Sequence, residues 1–203
     1  MISVIIADDH TMLVQALSVA LQKSGELEVT GEVSTLKDTF SAVEEKKPDV
    51  LLLDIALQDG DGLEALPKLK KAVPEMKIIM LTMYAEAAMI ECAIEKGAEG
   101  YVLKNGDGEE LLEAIRQVAA GNRYISKAAE VLLQDNKEKM PQLTKREHEI
   151  LELLVEGMTM KEIADKLCLA FETVHSYTKA LHQKFDVNNI ASLVKKAIEW
   201  HIV

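Results

Sequence analysis

The sequence predicts an α/β fold, a doubly wound five-stranded parallel sheet, followed by a small all-α domain. Three observations carry this expectation. Val4 to Ala7, Val50 to Leu53 and Ile78 to Leu81 are short, almost purely apolar runs, the pattern of strands buried on both faces of a parallel sheet. Segments of helical period alternate with them, as βαβ units require. Beyond residue 142 the pattern is helical throughout.

Each element follows in order. Val4 to Ala7 opens the sheet and Met12 to Lys23 is the first helix. Leu27 to Val33 alternates apolar and polar residues, as an edge strand does. Leu36 to Lys46 is a helix, Val50 to Leu53 a strand, Gly62 to Ala72 a helix, Ile78 to Leu81 a strand and Ala87 to Lys96 a helix. Gly100 to Leu103 completes five strands, and Glu109 to Ala120 is a helix stopped by Gly121-Asn122. A short helix is expected over Ser126 to Gln134. The polar, proline-containing stretch from Asp135 to Gln142 then reads as a linker. Thr144 with Glu147 forms a capping box ahead of Ile150, Leu151, Leu153 and Leu154, and Gly157 ends that helix. Lys161 to Leu167, Phe171 to Phe185 and Ala191 to Ile198 supply three more.

With 203 residues, 48% of them hydrophobic, the chain can build one large core or two small ones. No apolar run approaches the length of a membrane span. Val4-Ile5-Ile6 runs directly into Asp8-Asp9 without a basic leader, so a cytoplasmic protein is expected. Cys92 and Cys168 read as small core residues in a reducing compartment. The net charge of −11 is uneven: residues 1–139 carry 15 Lys+Arg against 25 Asp+Glu, and residues 140–203 carry 8 against 9.

Functional residues of doubly wound sheets gather at the carboxyl ends of the strands. Asp8-Asp9, Asp54, Thr82 and Lys104 all stand at or just beyond such ends. A carboxylate can attack phosphorus if carboxylate-held Mg²⁺ and an ammonium neutralise the incoming phosphoryl group. The set therefore reads as a phosphorylation site. Any one of these residues alone would be an ordinary turn former, helix cap or solvated lysine.

Asp8-Asp9-His10, Asp54, Leu81-Thr82 and Gly100-Tyr101-Val102-Leu103-Lys104 stand in the order and spacing of the receiver domain of bacterial two-component response regulators, which residues 1–124 resemble. Residues 143–203 resemble the LuxR-type helix-turn-helix domain, on Leu143 to Leu151, Gly157, Lys161-Glu162-Ile163-Ala164 and Thr173-Val174. A short helix and linker would occupy 125–142. Together the halves look like a NarL/FixJ-type regulator. The resemblance implies a flavodoxin-like receiver in which Asp54 accepts a phosphoryl group from a sensor histidine kinase. Asp8, Asp9, Asp54 and the Ala56 carbonyl would hold Mg²⁺, Thr82 and Lys104 would bind phosphoryl oxygens, and Tyr101 would turn inward as Thr82 moves. It also implies double-stranded DNA as partner and a homodimer on activation, with no enzymatic action on an external substrate.

In a helix-turn-helix the second helix enters the major groove. His175, Ser176 and Lys179 share one face of Phe171 to Phe185 and are the candidate base contacts; Lys161, Thr173 and Lys184 are candidates for phosphate. Ile190, Leu193, Val194 and Ala197 form the apolar face of the last helix, which pairs subunits in this family. The chain departs from the family in places. Leu57-Gln58 stands where Met-Pro is common, leaving the loop after Asp54 less restricted. Ala170 replaces a usual capping Ser or Thr, His175 a Lys, Tyr177 a His, and Met160 an Asn.

Rival readings fit the sequence less well. An aspartate-nucleophile phosphatase of the haloacid dehalogenase type needs a second Asp two residues after the first, and Ala56 stands there. The near-neutral output domain motivates the stronger rival, a receiver-containing adaptor whose helix-turn-helix binds protein rather than DNA.

Overall fold

The computed structural model describes residues 1–139, 141–200 and 202. They form two compact units, Met1–Asp135 and Asn136–Val203. In the first, β1 (Ile2–Ala7), α1 (Thr11–Lys23), β2 (Leu27–Val33), α2 (Leu36–Lys46) and β3 (Val50–Leu53) lead to a tight hairpin of β4 (Ala56–Leu57) and β5 (Gly60–Asp61). There follow α3 (Gly62–Ala72), β6 (Lys77–Thr82), α4 (Ala87–Glu95), β7 (Gly100–Leu103), α5 (Gly108–Ala119), β8 (Tyr124–Ile125) and α6 (Lys127–Lys139).

The main sheet is parallel, with strand order β2-β1-β3-β6-β7-β8. The order reverses between β1 and β3, which opens a crevice at their carboxyl ends. Successive residues of each strand serve opposite faces. Ile5, Leu51, Leu53, Ile78 and Met80 pack with Val43, Leu66, Leu69 and Ile90 of α2, α3 and α4. Val4, Ile6, Leu52, Ile79 and Leu81 pack with Val14 and Leu21 of α1 and with Leu111, Ile115 and Val118 of α5. This two-sided burial is why the strands read as continuous apolar runs.

Three features differ from the sequence expectation. The sheet has six strands: β8 is two residues long, paired Gly100↔Tyr124 and Tyr101↔Ile125, too short to show any alternation. The segment expected to be a linker from Asp135 is helical as far as Lys139, because charged Lys and Glu are good helix formers, and Met140 lies outside the described residues. Cys168, expected in the core, is exposed and caps α8 in the left-handed conformation, with φ 53°.

The second unit contains α7 (Lys145–Val155), α8 (Met160–Leu167), α9 (Phe171–Lys184) and α10 (Ile190–Glu199). Its separate core joins Ile150, Leu151, Leu154, Ile163, Val174, Leu181, Phe185, Leu193 and Ala197. Thr144 and Thr159 close capping boxes with Glu147 and Glu162, each worth about 1 kcal/mol. The N-cap of α9, Ala170, makes no side-chain bond.

Candidate functional site

The four strand ends converge. Asp54 follows β3, and its backbone N–H donates to the Ala7 carbonyl at 2.9 Å, fixing it beside the end of β1. Lys104 follows β7 and donates its backbone N–H to the Thr82 carbonyl at 2.9 Å, fixing it beside the end of β6. The Lys104 ammonium lies 2.6 Å from Asp54 Oδ2 and 2.7 Å from Asp8 Oδ2, with all three side chains at most 4% exposed. Asp54 Oδ1 accepts from the Ile55 N–H at 2.7 Å, so both carboxylate oxygens are held. Gly62 allows this closeness: a Cβ there would stand 2.1 Å from the Asp54 carbonyl oxygen.

Asp8, Asp9, His10 and Asp54 each offer a ligand atom within 4.8 Å of the others. Three carboxylates face one ammonium, a surplus of negative charge. Asp8 Oδ2, although close to Lys104, and Asp9 Oδ1 are buried without an aligned hydrogen bond. Hard oxygen donors with spare charge and unsatisfied lone pairs suit Mg²⁺. The exposed His10 ring lies 3.0 Å from Asp8 Oδ1 and 2.8 Å from Asp9 Oδ1.

The loop after Asp54 lacks Met-Pro but is fastened in two other ways. Ala56 and Leu57 pair with Asp61 and Gly60 in the small hairpin. The Asp59 carboxylate accepts from the Leu36 and Lys37 backbone N–H groups at the start of α2, at 2.5 and 3.1 Å, which holds its pKa below the ordinary 3.8. The sequence reading missed Asp59; its only local signal is the Asp59-Gly60-Asp61-Gly62 turn. Asp61 is also structural, capping α3 through the Leu63 and Glu64 N–H groups.

Thr82 is fully buried, and its Oγ1 accepts only a long 3.4 Å contact from the Tyr84 N–H. Tyr101 already points inward, with no exposure, and its hydroxyl donates to the Tyr84 carbonyl at 2.8 Å. Burial, helped by the Asp54 and Glu86 charges, pushes its phenol well above its ordinary pKa, so it remains a donor. The Tyr84 peptide thus touches both Thr82 and Tyr101.

In the second unit His175, Ser176 and Lys179 are exposed on one face of α9, and Lys161 is exposed on α8. Thr173 is half-buried. Lys184 is committed elsewhere: its ammonium donates to the Gln142 carbonyl at 2.9 Å and to Glu147 Oε2 at 2.7 Å, and so ties α9 to the start of α7. Burial pushes the Glu147 carboxyl up, but bonds from Lys184 and Thr144 outweigh it and leave the pKa below 4.5. The expected pairing face of α10 needs correction. Leu193 and Ala197 have no exposure and belong to the domain core, with Ile190 and Val194 half-buried against it. The exposed side of α10 carries Ala191, Lys195, Ile198 and Glu199 instead.

Comparison with known proteins follows this division. Residues 4–116 match the response regulator receiver domain model, and residues 141–197 match bacterial regulatory proteins of the luxR family. The chain is 37% identical to the transcriptional regulatory protein DesR of Bacillus subtilis, over 98% of both chains. It is 29% identical to the response regulator protein VraR of Staphylococcus aureus, over 100% of this chain and 99% of that one. Among solved structures, the Salmonella typhimurium RcsB response regulator matches with a TM-score of 0.73 at 28% identity, covering 96% of both chains. RcsB from Salmonella enterica serovar Typhimurium bound to promoter rprA in the presence of the phosphomimetic BeF3⁻ matches at 0.63 and 28%, covering 97% of this chain and 98% of that one. On these matches the chain belongs to the response regulator family, in the branch whose output domain is of the luxR type.

Proposed function

We propose that this protein is a transcriptional regulator of a two-component system whose DNA binding is controlled by phosphorylation of Asp54. One observation carries the reading: Asp54, Asp8 and Lys104 are locked together at the carboxyl end of the sheet with negative charge in excess. A sensor histidine kinase supplies the phosphoryl group. An Asp54 carboxylate oxygen forms the new bond to phosphorus as the bond to the donor's imidazole nitrogen breaks, and the imidazole leaves. Asp8, Asp9, Asp54 and the Ala56 carbonyl would hold Mg²⁺, which when bound neutralises charge on the transferred group.

The chain's own residues do the rest. Lys104 exchanges its bond to Asp54 for phosphoryl oxygens. Thr82, released from its long contact, donates its hydroxyl to them. The Tyr84 peptide follows, and with it the hydrogen bond from Tyr101. Tyr101 is inward and bonded to the Tyr84 carbonyl, and the modification favours this arrangement by its differential contacts with Thr82 and Lys104. Residues 1–124 act as the receiver, 125–142 as the connector and 143–203 as the output domain. The protein's own chemistry is its self-phosphorylation and dephosphorylation at Asp54, and it acts in the cytoplasm, where the DNA of a two-component system lies. No helix among the described residues is long and apolar enough to cross a membrane.

Output proceeds through α9 in the major groove of double-stranded DNA, with His175, Ser176 and Lys179 at base edges and Lys161 and Thr173 at phosphates. RcsB bound to promoter DNA supports this choice over the protein-binding adaptor. Dimerisation on activation uses the exposed side of α10. The test is enrichment from a pool of genomic fragments, with and without a small phosphodonor and Mg²⁺. Enrichment should depend on the phosphodonor and vanish in Asp54→Ala. Phosphorylation at Asp54 without enrichment, even at low salt, would favour the adaptor.

A further inference from the structure

The output domain has little positive charge with which to hold DNA, and its groove-facing helix opens on a large aromatic side chain. Phe171 is the first residue of α9 and is 46% exposed. His175, one turn on, stacks against it with ring centroids 6.4 Å apart and planes 22° apart. Lys179 continues the same stripe at i+8, exposed like His175 and without an ion-pair partner among the described residues. The helix thus presents Phe171, His175 and Lys179 in line, from apolar to polar to cationic. Among the described residues the unit's core does not include the Phe171 ring.

The geometry points to Phe171 as a specificity-determining residue that reads the C5-methyl group of a thymine in the major groove, with His175 holding its ring in place. This rests on the DNA-binding reading above. Residues near the N-terminus of the second helix are those that reach base edges, and an apolar side chain recognises the thymine methyl, which no other standard base pair presents in that groove. Charge complementarity selects the occupant: the stripe ends on Lys179, and Lys161 is exposed on the preceding helix, both without an ion-pair partner among the described residues, which suits a polyanion such as DNA. With a net charge of −1 the domain exerts little long-range attraction on DNA, and contact with a methyl group adds affinity and selectivity that salt does not screen.

The test uses the full-length protein with phosphodonor and Mg²⁺. Preferred sites are first selected from random double-stranded DNA. Each thymine of the selected site is then replaced by deoxyuridine, which removes only the methyl group. Wild type should lose about fourfold in affinity per half-site at one particular thymine, the worth of burying one methyl group. Phe171→Ala should bind thymine and uracil versions equally, whereas Phe171→Leu should keep part of the discrimination. Because the ring is exposed, both variants should melt as wild type does. Undiminished binding to every uracil-substituted site would overturn the inference while leaving DNA binding intact. So would equal discrimination by wild type and Phe171→Ala. A pool yielding no enriched sequence overturns the DNA-binding reading and this inference with it.

Discussion

Single residues in the acid cluster can be weighed by what their loss leaves behind. Among the described residues Lys104 is the one lysine or arginine touching Asp8 and Asp54, and all three side chains are buried. Replacing it by Met removes the compensating charge but not the two carboxylates, which then face one another in a poorly solvated site. Breaking a buried pair from one side costs about 3–5 kcal/mol. Lys104→Met should therefore lower the receiver's denaturation midpoint sharply without Mg²⁺, and millimolar Mg²⁺ should restore much of the loss. Equal destabilisation at every Mg²⁺ concentration would separate the lysine from the metal site. Glu147 makes a comparable case in the output domain. Its folded pKa lies below 4.5, so it binds fewer protons folded than unfolded, and its contribution is present above that value and lost as pH falls through the folded pKa. The output domain should lose stability on acidification below about pH 4.5, and Glu147→Gln should be less stable at neutral pH with a shallower acid dependence. Chemical denaturation of both proteins across that range would show it; parallel pH curves would count against it.

At the scale of elements, α10 illustrates how one amphipathic pattern can serve two demands. Leu193 and Ala197 face inward with no exposure, whereas Ile198 is 51% exposed on the opposite side. Leu193→Ala should cost about 2–5 kcal/mol of domain stability through the cavity it leaves. Ile198→Asp should leave the melting temperature almost unchanged but weaken association of the phosphorylated protein, as sedimentation would reveal. Reversed outcomes would place the pairing surface elsewhere. The sequence pattern marked this helix as amphipathic, but periodicity says only that one stripe is apolar, not which neighbour covers it. The receiver site was far more legible. Asp8, Asp54 and Lys104 each follow an apolar run, and the geometry of a parallel sheet alone brings such ends together. The Asp59 clasp on Leu36 and Lys37 left no comparable trace, since its partners are more than twenty residues away and are backbone groups. Strand β8 escaped for a different reason: two residues cannot display a period. Lys184 escaped because an exposed-looking lysine at a helix end gives no sign that a buried glutamate awaits it.

The whole molecule is acidic, and the consequence for DNA binding is quantitative. Of the eight Lys and Arg residues from 140 onward, five are engaged within the output domain. Arg146 pairs with Glu149, Lys166 with Glu156, Lys184 with Glu147 and Lys195 with Glu199, while Lys196 donates to the Phe185 carbonyl and lies over the Trp200 ring. Among the described residues Lys145, Lys161 and Lys179 remain exposed without a carboxylate partner. The exposed pairs, Arg146, Lys166 and Lys195, bind their partners weakly, but each must be separated before it can serve a phosphate. With Lys179 at a base edge, Lys145 and Lys161 give a dimer about four cations for phosphate, and the slope of log K against log salt should be near −4, following the −0.9 per phosphate contact of B-DNA. Lys161→Ala removes one cation per subunit, so the slope should flatten by about 2 while sequence preference is retained, because a phosphate contact carries no base information. Phe171→Ala should do the opposite, changing preference with little effect on slope. A slope near zero for the phosphorylated dimer would mean that the output domain meets protein rather than DNA. A slope much steeper than about −4 would mean that the internal ion pairs open on binding, making their rupture part of the cost of finding the operator.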